Sequence, residues 1–229
     1  MKKNKNLIVY LLLVFITIIF IVLLILPKDK SEETIASSYL FDEEIITLEH
    51  DIVEAYDDSE LLIVVYQNII DDFSLLLEES LEKAKEEFSN KLAFIYRPFY
   101  HHSDKAAYDS SLLALCANSF DKGREARKLL LGEGKQNFSL ENLENYSQLL
   151  EIDLVDMETC LADRELRSYL ENMQQETLAS FILGSPTLIV GDELINGARP
   201  YEKYVDSNND SVEGLRDVIK RQLADNLEI

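Results

Sequence analysis

The sequence predicts an α/β domain carried behind one transmembrane helix, and three stretches predict it. Leu61-Leu62-Ile63-Val64-Val65-Tyr66 is a continuous apolar, β-branched run, the pattern of a strand buried on both faces. Far downstream, Gly184-Ser185-Pro186-Thr187 leads into Leu188-Ile189-Val190, a Gly191-Asp192 turn and Glu193-Leu194-Ile195, which reads as a proline-led hairpin closed by Asn196-Gly197. Before both, Leu7 to Leu26 carries no charge. At about 1.5 Å per residue this run reaches about 30 Å, the thickness of the bilayer's hydrocarbon core.

The elements follow in order. Lys2, Lys3 and Lys5 precede the apolar run, so residues 1–6 are placed in the cytoplasm, 7–26 in the bilayer and the rest outside. The run is longer than a signal peptide core and exits through Leu26-Pro27-Lys28 rather than small residues, so an uncleaved anchor is expected. Residues 27–42 read as a linker. Within the first part of the α/β domain, residues 43–103, the β-prone runs Ile45-Ile46-Thr47-Leu48 and Ile52-Val53 suggest an edge strand or hairpin. The Leu61–Tyr66 strand comes next. Behind Asp71-Asp72, an N-cap and a first-turn charge, Phe73, Leu76, Leu77, Leu81, Ala84 and Phe88 form a helical stripe. Lys91 to Tyr96 is the second strand, parallel to the first across that helix.

Residues 104–182 are helical, interrupted at Gly132-Glu133-Gly134 and Asn137-Phe138-Ser139, with Ala106, Leu112, Leu113, Leu115, Leu129, Leu130, Leu143, Leu149, Leu150, Leu161, Leu166 and Leu170 as apolar positions. Residues 183–229 hold the hairpin and a closing amphipathic helix on Val212, Leu215, Ile219 and Leu223, for which Asp210 or Ser211 is the expected cap.

Composition narrows the function. The chain has 22 Lys and Arg against 43 Asp and Glu, a formal charge of −21, so nucleic acid is excluded as a partner and the bilayer is met only through residues 7–26. No phosphate-cradling glycine loop occurs, with seven glycines in all, and no cofactor is called for. His50, His101 and His102 lack the spacing that points two rings at one metal, so no metal site is expected. Arg97 reads as a surface or carboxylate-pairing residue. Ser185 has no His or Asp at motif spacing, which argues against a nucleophilic serine.

The order βαβ, helical insert, ββα, together with the Gly184-Ser185-Pro186-Thr187 segment, resembles the DsbA-like family of the thioredoxin fold. Phe94-Ile95-Tyr96-Arg97 followed by His101-His102, Leu115-Cys116-Ala117, and Asp153-Leu154 through Cys160-Leu161 are similar to segments of that family, so the resemblance runs from about Leu61 to Leu223. It implies a cis-proline loop at Ser185-Pro186 that holds an extended peptide and faces a Cys-x-x-Cys at the start of the first helix, where the helix N-terminus favours a thiolate.

That pair is missing. The matching positions are filled by Gln67, Asn68, Ile69 and Ile70, none of which exchanges disulfides; the register there is open by two or three residues. Ile69 and Ile70 either cover the former active site with apolar surface or pack as core. Cys116 and Cys160, with 43 residues between them, fall where the resemblance implies a structural pair; a bridge, two free thiols and a redox role all stay open. The expected function is a membrane-anchored, extracytoplasmic, redox-inactive domain that binds extended peptide or protein segments. The alternatives are a disulfide oxidoreductase or isomerase role with a cysteine-bearing partner, or a non-redox enzyme on the same fold.

Overall fold

A computed structural model describes residues 48, 50–180 and 182–225. The proposed membrane segment, the linker and Ile45-Ile46-Thr47 lie outside the described residues, and among those described no helix is long and apolar enough to cross a membrane.

Five strands form one sheet in the order β1-β3-β2-β4-β5, from β1 (Ile52–Glu54), β2 (Leu61–Gln67), β3 (Leu92–Pro98), β4 (Thr187–Val190) and β5 (Glu193–Asn196). The apolar run of β2 pairs in parallel with β3, Leu61 opposite Leu92 through Gln67 opposite Pro98, and antiparallel with β4, Val64 opposite Ile189. Ile63, Val64 and Val65 are fully buried, as a strand with helices on both faces requires. β1 runs antiparallel to β3 as the edge strand, and β4 returns into β5 through Gly191 at φ 60°.

Helix α1 (Asp72–Phe88) connects β2 to β3. Its buried face is Ser74, Leu77, Ser80, Leu81, Ala84 and Phe88, a 3-4 repeat with Ser80 beside it. The predicted stripe is corrected at two places: Phe73 is 61% and Leu76 54% exposed. Asp71 caps the helix through Phe73 N–H at 3.1 Å, and that start fixes a rotation in which Ser74 points inward.

Between β3 and β4 lie α2 (Lys105–Asn118), α3 (Gly123–Asn137), α4 (Leu143–Leu150), α5 (Leu154–Ala162) and α6 (Arg164–Ala179). Gly134, at φ 67° and ψ 172°, breaks the helical backbone of α3 within the predicted glycine interruption. Most predicted apolar positions are core, but Leu149 faces out. Cys116 on α2 and Cys160 on α5 form a disulfide, and the chain holds no other cysteine.

Helix α7 (Leu215–Asp225) packs Leu215, Val218, Ile219 and Leu223 inward and touches β2, β4 and α1. Neither Asp210 nor Ser211 caps it, because Ser211–Val212 (β7) pairs with Tyr204–Val205 (β6) before the helix begins. Its first N–H groups, from Leu215 and Arg216, donate instead to the carbonyls of Pro200 and Tyr201 at 2.9 and 3.1 Å. Gly214 makes this approach possible, since a Cβ there would lie 2.3 Å from the Tyr201 carbonyl oxygen.

Candidate functional site

The C-terminal end of β2, the N-terminus of α1 and the loop before β4 converge, because β2 pairs with β4 and delivers its last residues beside that loop. The Ser185–Pro186 bond in the loop is cis, Pro186 is buried and Ser185 is half-buried. Ser185 Oγ accepts from the Asn68 N–H at 2.7 Å, lies 3.2 Å from Ser74 Oγ and makes a longer contact of 3.5 Å to Asp71 Oδ2. A consistent proton assignment runs from the Ser74 hydroxyl to the Ser185 hydroxyl to the Asp71 carboxylate, with the Asn68 N–H filling the second lone pair of Ser185. The Ser185 backbone N–H and C=O form no hydrogen bond among the described residues.

The four residues predicted at the family's active-site positions divide. Asn68 belongs to the site: its N–H binds Ser185, and its side chain and carbonyl receive the Ile70 and Asp71 N–H groups, which closes the turn into α1. Gln67 does not, since it ends β2 with its side chain buried. Ile69 and Ile70, 3% and 1% exposed, are packed core rather than apolar surface over the site. The side chains that face Ser185 from the start of the helix are Asp71 and Ser74, three residues apart. The N-cap signal marked Asp71, but only the rotation of α1 brings Ser74 into the site. Hydroxyls and a carboxylate there supply no thiolate for disulfide exchange.

Beneath this surface the sheet carries buried charge. Arg127 of α3 forks onto Glu78 of α1 at 2.6 and 2.7 Å and lies 3.8 Å from the centre of the Tyr96 ring. Burial pushes the Tyr96 hydroxyl up to about 12. Arg97, which the sequence left as surface or carboxylate-pairing, is buried and pairs with Asp51 through Nε and Nη2 at 3.0 and 2.9 Å. His50 packs edge-on against Tyr169, and His101 and His102 pack against Phe99 and Tyr100; among the described residues no His, Cys, Asp and Glu cluster suited to a metal occurs.

Compared with known proteins, the chain matches the family model described as thioredoxin over residues 76–207, a span that includes Ser185 and Pro186 and begins after Ser74. No curated protein matches it. Among solved structures, Wolbachia pipientis alpha-DsbA1 superimposes at TM-score 0.61 with 15% identity, covering 84% of this chain and 98% of that one. The thiol-disulfide exchange protein alpha-DsbA2 of the same organism gives TM-score 0.63 at 15% identity, covering 86% and 99%. Oxidised BdbD from Bacillus subtilis gives 0.61 at 14%, covering 80% and 96%.

Proposed function

The chain belongs to the thioredoxin family, and from that premise we propose that it is a peptide-binding member without disulfide exchange at the family's site, anchored through residues 7–26 with its domain outside the cytoplasm. The observation that carries the reading is the composition of the surface facing Ser185–Pro186. Asp71 and Ser74 are the α1 side chains that meet Ser185, no cysteine stands at Gln67–Ile70 where the resemblance puts a thiol pair, and both cysteines of the chain are bonded to each other on helices α2 and α5. The N–H and C=O of Ser185, unpaired among the described residues, offer an extended chain a donor and an acceptor, the main-chain pairing by which a peptide adds to a sheet edge. Exposed Phe73 and Leu183, neighbours in sequence to Ser74 and Gly184, add apolar contact area.

The test is an insulin-reduction assay on the full chain, with Cys116 and Cys160 titrated by a thiol probe. The expected result is no turnover and two thiols that appear only after reduction under denaturing conditions. Turnover, or thiols that react in the native protein, would overturn the reading.

A further inference from the structure

A groove of about 470 Å³ opens beside the site, between the first turn of α1 and the last turns of α3. Asn68 and Asp71 belong to both the groove and the Ser185 network, so a chain lying along Ser185 continues into it. Asp72 and Leu75 line one wall, and Gly132, Glu133 and Gly134 the other.

The charge is one-sided. Among the described residues, Asp71, Asp72 and Glu133 have no cationic partner, and the one cation lining the groove, Lys135, is paired with Asp104. The wall formed by α3 is that helix's C-terminal end, which carries negative partial charge. Nothing lies within 4 Å of where a Cβ would stand on Gly132 or Gly134, so a second backbone can approach α3 closely. The groove is also held at fixed width. The Glu78–Arg127 fork ties α1 to α3 one turn below Leu75 and Leu131.

We propose that this groove seats a cationic, extended segment of the partner polypeptide, with lysine or arginine side chains facing Asp72 and Glu133. The proposal rests on the peptide-binding reading of Ser185 and adds the partner's charge. A second copy of this chain is a poor occupant, since it carries −21.

The experiment measures fluorescence anisotropy of three labelled peptides on the full chain in non-ionic detergent. Each has about ten residues, enough to span the groove at about 3.3 Å per residue, with Lys, Gln or Glu at the same alternating positions. The Lys peptide is expected to bind tightest and the Glu peptide weakest. Asp72→Asn with Glu133→Gln is expected to weaken the Lys peptide by about three- to tenfold and leave the Gln peptide unchanged, since each exposed pair contributes modestly. Gly132→Trp, at an open position, is expected to weaken Lys and Gln peptides alike. Gln and Lys peptides that bind equally to wild type and to the double variant would overturn this inference alone. Failure of all three peptides would overturn the peptide-binding reading with it, and self-association abolished by Gly132→Trp would assign the groove to a second copy.

Discussion

At the scale of single residues, the site is defined by which side chains α1 turns toward Ser185. The helix N-cap is Asp71, and Ser74 follows at the Cys-x-x-Cys spacing. Asp71→Cys with Ser74→Cys therefore places two thiols at a helix N-terminus, where the lower thiol pKa favours attack on disulfides. We expect this double variant to gain insulin reduction, and Gln67→Cys with Ile70→Cys to remain inert because both positions are buried. Activity in the second pair and none in the first would return the site to the register read from sequence. Ser185→Ala leaves the Asn68 N–H without its acceptor, at a cost of about 1–3 kcal/mol, whereas Ser74→Ala removes one shared hydroxyl contact and costs about 1 kcal/mol. Urea unfolding of the two variants checks that order; equal losses would mean that Ser185 does not anchor the turn. Arg127 sets a harder case. Arg127→Ala strands Glu78 half-way into the core, and about 3–5 kcal/mol is the expected loss in the same measurement, with Arg127→Met paired to Glu78→Leu recovering most of it.

At the scale of elements, the sequence carried most of the architecture. Of the two parallel strands, the first follows from the β-branched run Ile63-Val64-Val65 and the second from the apolar run Leu92 to Tyr96, the hairpin follows from Pro186 and Gly191, and the break in α3 from Gly134, each a local signal. What it did not carry depends on neighbours. Phe73 and Leu76 satisfied an apolar stripe, yet α1 buries Ser74 and Ser80 and leaves those two exposed, because rotation about a helix axis is decided by what it packs against. The start of α7 was misread for a related reason. Its first amides are satisfied by Pro200 and Tyr201, which are distant from any capping motif at Asp210 or Ser211. The Cys116–Cys160 bridge ties α2 to α5 across 44 residues, which corresponds to roughly 4 kcal/mol of loop-closure stabilisation. Replacing both cysteines with alanine is expected to lower the unfolding free energy by that order and to leave binding of the Gln peptide unchanged. Loss of binding in a variant that remains folded would tie the bridge to function.

At the scale of the molecule, two charge effects oppose each other as pH falls. The chain carries −21 at pH 7 and has a pI of about 4.4, so acidification toward pH 5 relieves self-repulsion and favours the compact state. Below that, specific carboxylates reverse the trend. Glu87 accepts from the Tyr201 hydroxyl at 2.6 Å and pairs with Arg216 and Lys220, and these partners hold its carboxyl down at about 2. At Glu82, burial pushes the carboxyl up, but Lys128 and Lys85 outweigh it and bring it to about 2. A carboxylate depressed in the folded state contributes stability above its unfolded value of about 4.3, and that contribution is lost as pH falls through the folded value. The midpoint of thermal unfolding is therefore expected to hold or rise from pH 7 to about 5 and to fall between about 4.5 and 2. Added salt at pH 7 should raise it by screening the excess negative charge. Glu87→Gln should flatten part of the acid limb while leaving the limb above pH 5 in place. A midpoint that keeps rising below pH 4.5, or an acid limb unchanged in Glu87→Gln, would show that these ion pairs do not govern the acid response and that relief of net charge alone sets it.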